Sequence, residues 1–76
     1  MRIISQNGRL DIPYKKALVS MEDTMIYVRF EDVSLLVAEY SCCEEAEHVL
    51  EVMRESYVDR FAYYKFPKSM EDEEDD

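Results

Sequence analysis

Seventy-six residues allow one domain, near the lower size at which a core holds without disulfides or metal, and 47% hydrophobic residues with six Tyr and three Phe can fill it. Nine basic against eighteen acidic residues give a net charge of −9, a field that repels nucleic acid and anionic membranes and steers the chain towards basic partners. No stretch approaches the roughly 18–20 apolar residues of a membrane span, and Arg2-Ile3-Ile4-Ser5 gives way at once to polar residues, unlike a secretory signal.

Along the chain, Arg2–Ser5 is a short β-type run, and Asn7-Gly8 after it is a two-residue hairpin signal. Leu10, Ile12 and Tyr14 alternate with Arg9, Asp11 and Pro13, a strand with one buried face. Pro13 has no amide proton, which puts that strand at an edge or ends it. Ala17–Met21 is a third run, followed by a tight turn at Glu22-Asp23. Met25–Phe30 and Leu35–Tyr40 form a hairpin about Glu31-Asp32. In the last of these, Leu36, Ala38 and Tyr40 share one face, and Glu39 marks the other as solvent-facing.

Ser41 to about Tyr64 is the one long helical pattern. Ala46, Leu50, Met53, Tyr57, Phe61 and Tyr64 recur at steps of three and four. Ser41 and Glu44 have the spacing of a capping box. The far end is soft, because no Gly cap follows, and Tyr63–Phe66 fits a last helical turn or a short strand before Pro67. Val52 and Val58 lie on the helix flanks and hint at a second contact surface, such as that of a homodimer. The fold expected is α+β: a small antiparallel sheet of three or four strands packed against one amphipathic helix. Residues 1–66 form the domain, and 67–76 a disordered acidic tail.

Signs of catalysis are scarce. A single Gly excludes glycine-rich phosphate loops. His48 lies on the polar side of the helix near Glu44 and Glu51, and reads as a solvated side chain, because a metal site needs three or four convergent ligands. Adjacent Cys42 and Cys43 close almost no loop and read as reduced thiols of a cytoplasmic protein. The expectation is no enzyme, no metal and no cofactor.

The unusual feature is a ridge of Glu47, Glu51, Glu55 and Asp59, four residues apart, relieved only in part by Arg54 and Arg60. Like charges at this spacing repel by a few tenths of a kcal/mol per pair. A face shaped for solubility alone would interleave Lys with Glu. The tail acids Glu71, Asp72, Glu73, Glu74, Asp75 and Asp76 extend the field. Tyr27, Tyr40, Tyr57, Tyr63 and Tyr64 suit either a partner surface or the core.

The opening Met1-Arg2-Ile3-Ile4-Ser5-Gln6-Asn7-Gly8, then Asp11-Ile12-Pro13-Tyr14, resembles a group of short uncharacterised Firmicutes phage and prophage proteins. Ala38-Glu39-Tyr40-Ser41, Glu44-Glu45-Ala46, Val52-Met53-Arg54 and Phe66-Pro67 before an acidic end are similar to that group too, so that about half the chain is covered. Cys42-Cys43 stands where a Thr- or Ser-Glu pair would be ordinary, and the connection from the helix to Phe66-Pro67 is short. The resemblance assigns no catalytic residue. It implies a mobile element in a Gram-positive host, where small acidic proteins of the anti-CRISPR type inhibit nucleic-acid enzymes by occupying their grooves. Ridge and resemblance together give the expectation of a nucleic-acid mimic that binds a basic host protein, a nucleic-acid enzyme or CRISPR effector. A homodimer that sequesters a nucleotide signal through Lys15, Lys16 and Arg29 is the rival, and a housekeeping domain kept soluble by its charge is the third.

Overall fold

The computed structural model describes residues 1–69. The strands are β1 (Arg2–Ile4), β2 (Asp11–Pro13), β3 (Leu18–Glu22), β4 (Met25–Phe30), β5 (Val33–Glu39) and β6 (Tyr63–Lys65). A 3-10 turn, Tyr14–Lys16, precedes β3, and the helix α1, Cys43–Val58, joins β5 to β6. The chain is α+β, but its strands make two three-stranded sheets and not one. β3, β4 and β5 form an antiparallel meander, while β1 stands between antiparallel β2 and parallel β6. Pro13 ends β2 at the edge of its sheet, where its missing donor costs no ladder bond.

The first connection is longer than the two-residue hairpin expected at Asn7-Gly8. β1 and β2 pair from Ile4 and Asp11 outward, and Ser5 to Leu10 bridge them. The Gly8 amide donates to the Ser5 carbonyl with Gly8 at φ 78, and the Asn7 side chain accepts from the Ser5 hydroxyl and the Arg9 amide. Asn7-Gly8 is thus a turn signal read correctly, inside a wider loop. At the β4–β5 turn both central residues are left-handed, Glu31 at φ 53 and Asp32 at φ 68, the conformation of a primed hairpin turn.

A bulge corrects the face assignment in β5. Ile26 pairs with Ala38 but Tyr27 with Leu36, so Val37 is the extra residue and the side-chain alternation shifts there. Val37 and Ala38 are both buried and Leu36 is turned outward, separated from the face of Ala38 and Tyr40. Gln6 satisfies the backbone at this irregularity. Its amide donates to the Val37 carbonyl, its side-chain nitrogen to the Glu39 and Pro67 carbonyls, and its side-chain oxygen accepts from the Glu39 amide.

The helix is shorter than the expected Ser41–Tyr64. It closes at Asp59 with the Arg60 amide bonded to the Tyr57 carbonyl and the Phe61 amide to the Ser56 carbonyl. This pair of bonds is the Schellman motif, and Arg60 at φ 65 holds the place usually given to Gly. At the other end Cys42 is the N-cap, one residue later than expected, so Glu45 and not Glu44 reaches back. Its carboxylate accepts from the Ser41 amide, the Ser41 hydroxyl and the Ser69 hydroxyl.

One core unites both sheets and the helix: Ile3 and Ile12 from the first sheet, Ile26, Val28, Val37 and Ala38 from the meander, Ala46, Val49, Leu50 and Met53 from α1, and Tyr40 and Phe66. Val49 and Ser56 join the buried helix face. Phe61, assigned to that face by periodicity, is 56% exposed because the helix has already ended. Residues 67–69 remain tied to the domain: the Pro67 carbonyl accepts from the Tyr40 hydroxyl at 2.7 Å and Ser69 is buried. The rest of the expected acidic tail 67–76, residues 70–76, lies outside the described residues.

An acidic helix face as the candidate functional site

At 3.6 residues per turn, Ala46, Val49, Leu50, Met53 and Ser56 take one side of α1, while Glu44, Glu51 and Glu55 centre on the diametrically opposite side with Glu47 and Asp59 flanking them. All five carboxylates are exposed. Glu47 to Asp59 covers about 18 Å of helix axis. The core fixes this direction, because turning the ridge inward would expose Leu50 and Met53 to water.

No ion pair among the described residues engages the ridge. Arg2 pairs with Asp11 at 2.7 Å and Arg29 approaches Asp32 at 4.0 Å. Arg54 on the helix and Arg60 just beyond its end make no ion pair among the described residues either. Glu44 and Glu45 sit in the first turn, where the helix dipole favours negative charge, but no base occupies the last turn. Asp59 instead adds a carboxylate to the negative end. Val58, 75% exposed, stands among these acids. The face can attract a cationic surface and offers it an apolar contact.

The six tail acids of the expected site, Glu71 to Asp76, lie outside the described residues. Of the tyrosines weighed for a partner surface, Tyr40 is buried, Tyr27 and Tyr64 are half-buried, and only Tyr63 is largely exposed, at 60%. Tyr57 stacks on Tyr14 with ring centroids 4.4 Å apart. His48, Cys42 and Cys43 are exposed, the thiols are free, and no group of three potential metal ligands forms among the described residues.

The basic trio expected for a small anion does not assemble as expected. Arg29 turns towards Asp32, whereas Lys15 enters a cleft of about 420 Å³ lined by Met1, Tyr57, Val58, Arg60 and Phe61. Two cations, an exposed ring and no acid meet there. Sequence reasoning missed this pairing because a helix continued to Tyr64 puts Phe61 in the core. The signal that would have found it is a helix stop at Asp59, and without a Gly at 60 the chain does not announce one. Comparison with protein-family models, curated proteins and solved structures gave no match.

Proposed function

We propose that this chain is a non-enzymatic binding protein whose acidic helix face occupies a basic groove of a partner protein. The partner class that suits it is a bacterial host enzyme that handles nucleic acid, a CRISPR effector included, with Glu47, Glu51, Glu55 and Asp59 standing in for phosphates. The observation that supports this is the exposed ridge with no cation paired to it among the described residues. Four carboxylates held at fixed spacing on a helix attract a cationic groove at long range and keep register at short range. The test is affinity capture from a Gram-positive lysate with the wild type and a variant carrying E47Q, E51Q, E55Q and D59N. One basic nucleic-acid enzyme held at low salt, released at high salt and missed by the variant is the expected result. Equal capture by both proteins would remove the ridge from the mechanism.

A second reading rests on the cleft. Lys15 and Arg60 beside the exposed Phe61 ring suit an anion with a planar group, the chemistry of a nucleotide. Excess absorbance near 260 nm in the purified protein, lost in a K15Q/R60Q variant, favours it. A clean protein spectrum with no shift on titrating adenosine monophosphate discards it.

A further inference from the structure

We infer that β3 is the contact by which two copies of this chain associate, pairing antiparallel about Ser20 to join two meanders into one six-stranded sheet. β3 is an edge strand, hydrogen-bonded to β4 alone. No bond among the described residues reaches Leu18–Glu22 from any other part of the chain. The other edge of the same sheet is blocked where Gln6 takes the Val37 and Glu39 backbone groups. The first sheet offers only three-residue edges, β2 ended by Pro13 and β6. β3 has no Pro, no Lys and no bulge within it, and its one charged residue is Glu22 at its very end. Leu18 is 70% exposed at its start.

The charges select the occupant and its direction. Lys15 and Lys16 precede β3, and Glu22 and Asp23 end it, all four exposed. Antiparallel pairing about Ser20 sets Leu18 against Glu22, Val19 against Met21 and Ser20 against Ser20 of the second copy. Each Lys15-Lys16 then lies beside the Glu22-Asp23 of the other chain, twice by symmetry. Parallel pairing would set each charge against its own kind. The apolar pairs Val19–Met21 fall on the sheet face that already meets the core, since both residues border it. A two-fold axis at Ser20 runs perpendicular to the sheet, so the core that α1 shares with this face lies on the same side of the joined sheet in both copies. A dimer thereby carries two acidic helix faces, available to a partner as a bivalent surface. The association itself does not depend on the partner proposed above.

The test uses the full chain with C42S and C43S to remove the native thiols. S20C is expected to form an intermolecular disulfide on mild oxidation, because residues facing each other across the axis have Cα atoms about 4.5–5.5 Å apart. L18C or E22C alone forms no intermolecular disulfide, but an equal mixture of the two cross-links. S34C on β5 is the exposed control. Sedimentation of the native chain should show a monomer–dimer equilibrium that K16E weakens roughly tenfold and that adding E22K to K16E restores. A monomer up to millimolar concentration, or S20C cross-linking no faster than S34C, overturns the inference.

Discussion

The residue on which the two sheets depend is Gln6. Its three side-chain bonds fix the bulged end of β5 and the Pro67 carbonyl, two segments 28 residues apart, to the first loop. Removing them in Q6A leaves these exposed strand groups to water, and we expect a loss of about 1 kcal/mol in urea unfolding. Q6E retains an acceptor for the Glu39 amide but presents a carboxylate to two carbonyls, so it should be at least as damaging at neutral pH. Tyr40 completes this joint by donating to Pro67. Burial, then its neighbours Tyr64 and Glu45, hold its phenol well above the ordinary tyrosine value, and burial raises Tyr64 too. The sign follows from which state binds more protons. Above pH 10 the unfolded chain loses these two phenolic protons first, so the stability they contribute is complete below pH 10 and falls as pH rises beyond it. Absorbance near 295 nm should accordingly show two tyrosines titrating late and together with unfolding. Titration of Tyr40 and Tyr64 at the ordinary tyrosine value in a still-folded chain would contradict the burial.

At the scale of elements, the β4–β5 turn shows how local preference yields to tertiary demand. Glu31 and Asp32 are both left-handed, a conformation that costs a residue with a Cβ roughly 1–2 kcal/mol, less for Asp. Replacing them by Asn-Gly should raise stability by about 1 kcal/mol, seen as a higher urea midpoint with unchanged slope. No gain would mean that the turn relaxes in solution. The same element explains what was legible in the sequence. Alternation in β2 and β4 and the acid pair between β4 and β5 carried enough information to place those strands and their hairpin. Periodicity likewise placed Ala46, Leu50 and Met53 inward and the ridge outward. The β5 bulge was not legible, since an unbroken run of Leu, Val and Ala alternates equally well in either register. Nor was the helix end, where Arg60 performs a role that Gly usually advertises. Those two misreadings hid the joint at Gln6 and the cleft at Phe61.

For the whole molecule, the distribution of charge separates solubility from binding. Six of the eighteen acids lie at 71–76 and none of the nine bases does, so residues 1–69 hold twelve acids against nine bases, a net −3. Residues 71–76 alone thus supply two thirds of the −9. A ridge of like charges is a standing cost to the helix of a few tenths of a kcal/mol per pair. This has a measurable consequence in both directions. E51Q, at the middle of the ridge, relieves repulsion with Glu47 and Glu55, so it should stabilise the fold by a few tenths of a kcal/mol at low salt. At 1 M salt, where the screening length is about 3 Å, the gain should vanish. In the capture experiment the same substitution should weaken retention of the basic partner. Thermal unfolding at two salt concentrations, run beside capture, distinguishes the cases. Greater stability with weaker binding is the trade expected of a docking face, whereas greater stability with unchanged binding would leave the ridge as surface charge alone.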